Sequence, residues 1–188
     1  MTTPGRPRWP LLLSAAAATA GVVGGVVAAR RLAGTANPHI LDGLDLRADD
    51  VLLEIGSRGI GLVRALAVVE HVAVIDRSQD VVDATCRRNV AALAAGRLEV
   101  RLGDPGSLPW ADGSFTAAAM HQAVLRLPDL GRALGEVHRV LRPGGRLVRR
   151  GLRLCRDHEL ARMLEAAGFA SIDVVSRGIG QQAKAVRP

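Results

Sequence analysis

VLLEIGSRGIGL, residues 51–62, opens as an apolar run, carries one acid at Glu54 and closes on three glycines, Gly56, Gly59 and Gly61. Five consecutive residues of this character suit a buried strand, and the segment after the last glycines turns to helical spacing. A strand, a glycine turn and a helix form the opening unit of an open α/β sheet. The glycines are there because a backbone without side chains can turn tightly and approach a ligand closely. That ligand can be a pyrophosphate or an amino-acid tail, and the turn alone does not choose between them.

The same alternation continues outward. Helices are predicted over Ile60–Val69, Asp80–Ala95, Pro128–Leu141 and Asp157–Ala167, and strands over Val51–Ile55, Val72–Asp76, Leu98–Leu102, Ser114–Met120, Arg146–Arg150 and Ile172–Ser176. Asp129 can cap the third helix, whose Leu130, Leu134, Val137 and Leu141 share one face, and Gly168 ends the last. Gln182–Val186 is expected as a final edge strand. The pattern predicts an α/β, Rossmann-like, doubly wound and mostly parallel seven-stranded sheet, covered on both faces. Ligands of such sheets bind beyond the carboxyl ends of the strands, where the strand order reverses.

Composition narrows the functional classes. A chain of 188 residues with 48% hydrophobic and 23% charged residues has enough apolar material for one globular domain. Aromatic residues supply only 2% and Tyr is absent, so the core is Leu, Val and Ala, and a nucleic-acid surface built on ring stacking is disfavoured. Of the net charge of +7, Arg6, Arg8, Arg30 and Arg31 contribute +4, and the remainder is spread among charges of both signs. Cys86 and Cys155 form no CxxC pair, and no His/Cys cluster has zinc-like spacing.

Residues 1–33 stand apart from the domain predicted over 34–188. Leu11–Ala29 is an uncharged stretch of membrane-spanning length, flanked by Pro10 and by Arg30-Arg31. It reads first as an apolar anchoring helix. A secretory signal, with Ala18-Thr19-Ala20 as the cleavage site, and a helix packed on protein are the other readings.

Four residues fall at strand tips: Glu54, Asp76, Asp104 and His121. An acid closing the second strand suits the two hydroxyls of a ribose, and Asp76 lies twenty positions beyond Gly56, a spacing that a dinucleotide also uses. A carboxylate closing the third strand can accept from an adenine amine. His121 can orient a substrate or serve as a general base. Six arginines, Arg142, Arg146, Arg149, Arg150, Arg153 and Arg156, crowd the fifth strand and its exit, and are read as a solvated face ahead of an anion site. Asp129 and Glu136 are read as helix-surface acids.

From Val51 to about Val148, and more loosely to the end, the chain resembles the class I S-adenosylmethionine-dependent methyltransferases of the small-molecule type, those with a methyltransferase domain 11. The stretch that carries the resemblance is RLGDPGSLPWADGSFTAAAMHQAVLRLPDLGRALGEVHRVLRPGGRLV, residues 101–148. It is similar to that family's third strand, its "LPF-DGSFD" segment and its "RVLRPGGRL" entry to the fifth strand. The resemblance implies a cofactor, S-adenosyl-L-methionine, and places its contacts by position. Glu54, Gly56, Ser57, Gly59 and Gly61 match the turn that faces the methionine portion. Asp76 matches the ribose acid with Arg77 beside the adenine, Asp104 and Pro105 match the adenine-reading position, and His121 lines the cofactor and opens to substrate.

The family's acid-x-Gly-x-Gly-x-Gly run is altered here. Either Arg58 stands for the middle glycine or the loop is one residue shorter, the reading preferred because Gly61-Leu62 then continues into the helix. Thr116 stands where the family commonly has Asp, and the segment after the fifth strand is short. The expectation is methyl transfer to a small-molecule or lipid-like acceptor at the cytoplasmic face of a membrane. Alignment of the reacting atoms does that chemistry, so no catalytic base is assigned. The alternative is a methyltransferase-like interaction module that no longer catalyses.

Overall fold

The computed structural model describes residues 40–56, 60–121 and 127–188. The segment of residues 1–33, with its Leu11–Ala29 stretch, lies outside them, as do Ser57, Arg58 and Gly59. No helix among the described residues is long and apolar enough to cross a membrane.

Seven strands form one sheet: β1 (Val51–Ile55), β2 (His71–Asp76), β3 (Leu98–Leu102), β4 (Phe115–His121), β5 (Leu141–Leu152), β6 (Ala170–Arg177) and β7 (Gly180–Val186). Their spatial order is β3-β2-β1-β4-β5-β7-β6. The first five pair in parallel, whereas β7 is antiparallel to both β5 and β6. The helices are α1 (Ile60–Leu66), α2 (Gln79–Arg88), α3 (Val90–Ala94), α4 (Leu127–Val140) and α5 (Asp157–Ala166), and a 3₁₀ turn at Ile40–Gly43 precedes them.

Every residue of β1 and β2 is buried, as a strand covered on both faces requires. Alternate residues feed two cores. Leu52, Val72, Val74, Ala117, Ala119 and Val148 meet Ile40, Leu41, Leu44, Leu62 and Ala65 on the face of the 3₁₀ turn and α1. Leu53, Ile55, Ala118, Met120 and Leu147 meet the stripes Leu130–Leu134–Val137 of α4 and Leu160–Leu164 of α5 on the other.

Three expectations are corrected. Gln182–Val186 belongs to a strand that is not the edge: β6 takes that place and β7 lies between it and β5. Gly178 (φ +57°) and Ile179 link Arg177 and Gly180, which are register partners, so the two strands form a tight hairpin. Ala183 and Ala185 of β7 are buried in the core, while β6 alternates between exposed and half-buried residues. The helix expected over Asp80–Ala95 is two helices, broken at Asn89. The fifth strand begins at Leu141, with a register shift between Phe115 and Ala117 that accommodates the Pro143-Gly144-Gly145 excursion.

Candidate functional site

The chain builds outward from β1 through β2 to β3, then returns to lay β4 and β5 on the other side of β1. The order therefore reverses between β1 and β4, and the carboxyl ends of these two strands bracket the place where such sheets bind ligands. Glu54 in β1 and His121 in β4 stand there, in phase with the buried residues of the α1 face. Glu54 is fully buried, and neither of its carboxylate oxygens has a hydrogen-bond partner among the described residues. His121 Nε2 lies 3.4 Å from Glu54 Oε1, and that ring nitrogen is likewise buried without a hydrogen bond.

Gly56, directly after β1, has φ +76°, a conformation that favours glycine, and its N–H donates to Ile75 O at 3.0 Å, tying the end of β1 to β2. Gly61 sits buried in the first turn of α1. Asp76 closes β2 at 5% exposure; its Oδ1 accepts the Ser78 N–H at 2.9 Å, and its carbonyl accepts the Gly103 N–H at the end of β3.

Asp104 is differently placed. Its Oδ1 accepts from Arg77 Nη2 at 2.6 Å and from the Gly106 N–H at 2.9 Å, and its Oδ2 pairs with Arg132 Nη2 of α4. The Arg77 guanidinium, with the Gly106 N–H, holds this carboxyl below the usual carboxylate range. Arg77 also reaches Asp129 Oδ2 at 3.4 Å. Both oxygens assigned to an adenine amine are thus engaged by cations, and Arg77 joins β2 to β3 and α4. Pro105 beside it is buried. The sites expected at Glu54, Gly56, Gly61, Asp76, Arg77, Asp104, Pro105 and His121 gather along the carboxyl ends of β1 to β4.

Several other readings are revised. Glu136 is no simple surface acid: its Oε2 accepts the Leu108 N–H at 2.7 Å, and Arg139 grips both its oxygens. Thr116 is a structural post, donating to Asp50 Oδ1 at 2.6 Å and accepting the Val51 N–H at 3.0 Å. Nor do the arginines around β5 form one solvated face. Arg146 pairs with buried Asp50 at 2.5 Å, and Arg149 is wholly buried. Arg132 and Gln181, which no sequence pattern marks, prove to organise the surroundings of Asp104 and Arg149.

A seven-stranded sheet of order 3-2-1-4-5-7-6, with acids at the tips of β1 and β2, defines a class I S-adenosylmethionine-dependent methyltransferase domain. Residues 53–149 match the family described as "Methyltransferase domain", and the chain belongs to that family. It is 38% identical over 78 residues to a ubiquinone/menaquinone biosynthesis C-methyltransferase of Methylobacterium nodulans, covering 42% of this chain and 31% of that protein. It is 36% identical over 104 residues to an arsenite methyltransferase of Halobacterium salinarum, covering 53% of this chain and 26% of that protein. The chain thus spans about a third or less of the length of these relatives. In fold it resembles the geranyl diphosphate C-methyltransferase of Streptomyces coelicolor, with a TM-score of 0.66 at 18% identity over 79% of this chain and 77% of that one.

The cofactor of this class is S-adenosyl-L-methionine. It carries an ammonium and a sulfonium at its methionine end and two hydroxyl donors on its ribose. The described residues offer acceptors of the required sign, namely both oxygens of Glu54, buried without a hydrogen bond, and the carboxylate of Asp76 at the tip of β2. The residues present therefore fit the cofactor at these two ends. At the third, Asp104 meets it already paired.

Proposed function

We propose that this chain transfers a methyl group from S-adenosyl-L-methionine to a small-molecule or lipid-like acceptor. The observation that carries the reading is the fully buried Glu54 carboxylate, whose oxygens make no hydrogen bond among the described residues, at the point where the strand order reverses. A buried anion without donors is costly, and a cationic ligand removes the cost. When bound, S-adenosyl-L-methionine supplies a methyl already activated on sulfonium. The task left to this chain is alignment. Glu54 holds the cationic end, Asp76 holds the ribose, and His121 borders the acceptor side, where it can take a proton if the acceptor has one to lose. The relatives named above are a C-methyltransferase of ubiquinone/menaquinone biosynthesis and an arsenite methyltransferase, and small acceptors agree with the reading. We place the domain at the cytoplasmic face of a membrane, tethered through Leu11–Ala29, where an apolar acceptor would be met. Titration of the full chain with S-adenosyl-L-methionine in a calorimeter tests the proposal. Saturable micromolar binding is expected, and no heat up to millimolar ligand removes it.

A second reading is favoured by one observation, the engagement of both Asp104 oxygens by Arg77 and Arg132. In it, the domain keeps the fold as an interaction module and has lost the cofactor. Arg58→Gly separates the two readings. If the natural chain binds no cofactor and this variant does, the second is correct.

A further inference from the structure

Arg149 lies in β5 at the register of Met120, one residue short of the last parallel pair, His121 with Arg150. It faces the core under α4 and α5, in phase with Leu147, and it is 0% exposed. Arginine stays protonated in proteins, so its charge is permanent. Burial lowers its affinity for the proton without removing the cation. One nitrogen is anchored: Nη1 donates to Gln181 Oε1 at 3.0 Å. Gln181 is itself 1% exposed and fixed, its Nε2 donating to Asp157 Oδ1 at 2.8 Å and to Cys155 O at 3.1 Å, with Asp157 also bonded by Ser176 Oγ at 2.5 Å.

The other two nitrogens, Nε and Nη2, are buried without a hydrogen-bond partner among the described residues. They are not two scattered vacancies. In a guanidinium, Nε–H and Nη2–H share one edge, and that edge is the fork that grips a carboxylate or phosphate with two parallel bonds. Arg149 enters no ion pair with a described carboxylate, and a methionine would fill the volume without desolvating a charge. The Gln181–Asp157–Ser176 chain instead holds the guanidinium by its far side, and the fork edge makes no hydrogen bond to a described residue. A permanent cation oriented in this way, shut from water at the carboxyl end of β5, is built for one small oxyanion group.

We infer that the Arg149 fork is an anion subsite, and that the methyl acceptor carries a carboxylate or phosphate group that seats there beside Gln181 and Cys155. The assignment to the acceptor rests on the methyl-transfer reading; the anion subsite itself does not.

Thermal unfolding of the full chain in millimolar sodium phosphate, sodium acetate, or sodium chloride of equal ionic strength provides the test. At least one of the two oxyanions is expected to raise Tm by a few degrees above chloride. A rise with phosphate alone assigns a phosphorylated acceptor, and a rise with acetate alone a carboxylate. The rise should vanish in Arg149→Met and Arg149→Gln, while S-adenosyl-L-methionine titrates as before. If those variants do not fold, the Cys86→Ser chain decides, because a seated oxyanion should slow alkylation of Cys155 by iodoacetamide several-fold. No rise above chloride and no protection of Cys155, or an equal rise in folded Arg149→Met, overturns the subsite. Anion effects without cofactor binding keep the subsite and strike down only its assignment to an acceptor.

Discussion

Single residues set the polarity of this cleft. Glu54 is the residue where fold and ligand make opposite demands, since a buried carboxylate without donors weakens the ligand-free chain yet complements a cationic cofactor. Glu54→Gln keeps the shape and removes the charge. The variant should unfold at higher urea, with about 1–3 kcal/mol of added stability, and should bind S-adenosyl-L-methionine at least about tenfold more weakly. Loss of affinity without a gain in stability would mean that His121, 3.4 Å away, already compensates the charge. At this scale the sequence was legible where the apolar pattern fixes a residue's place in the sheet. Glu54, Asp76 and His121 lie at strand tips because the strands are short and their apolar patterns unambiguous. It was silent on pairing. Nothing in the string shows that Arg77 and Arg132 converge on Asp104, since these residues lie on three separate elements, or that Arg149 is the one buried member of a run of six arginines.

At the scale of elements, the stretch most diagnostic of the family turns out to be scaffold. The segment from Leu108 to Ser114 is fastened to α4 by Arg139, which donates to Leu108 O at 3.0 Å, Trp110 O at 2.9 Å and Asp112 Oδ1 at 2.7 Å while gripping Glu136. Glu136 in turn receives the Leu108 N–H. Trp110 then packs edge-on against Phe115, with ring centroids 5.3 Å apart. The LPWADGSF and EVHRVL segments are thus two halves of one clamp, and the clamp fixes the loop that carries Asp104. Arg139→Ala removes bonds to three carbonyl or carboxylate acceptors besides Glu136 and leaves Glu136 half-buried without its cation. It should destabilise the domain by about 2–4 kcal/mol in urea unfolding, with a weaker effect on cofactor affinity. A loss under about 0.5 kcal/mol would show that the loop holds without it. Strand and helix existence was readable from apolar periodicity, but the placing of β7 inside β6 was not. Neither strand carries a strong apolar pattern, and the buried Gln181, Ala183 and Ala185 mark the inner one.

Across the whole molecule, one buried and one half-buried imidazole set the response to acid. His71 at the start of β2 donates from Nδ1 to Gly96 O over 3.0 Å, and His138 of α4 stands edge-on to Phe169 at 5.2 Å. Burial pushes both pKa values below the ordinary value of 6.5. The unfolded chain therefore takes up protons first as pH falls through about 6.5, and the linkage slope makes each lost fraction of neutral imidazole a loss of stability. Stability from these groups is complete above about pH 7.5, declines as pH drops through 6.5, and stops declining once the folded pKa values are passed. The carboxylates of Asp104, Glu136 and Asp157 are shifted the other way, held low first by Arg77, Arg139 and Ser176 respectively, so their contribution is kept until the pH falls below about 4. Acid unfolding should consequently show two separate losses, one between about pH 7 and 5 and one below about pH 4. His138→Phe preserves the ring against Phe169 and removes one titrating group. The upper loss should shrink in that variant while the lower one stays in place, measured as Tm against pH. An upper loss of unchanged size would shift its origin to His71 and separate the strand-side imidazole from the helix-side one.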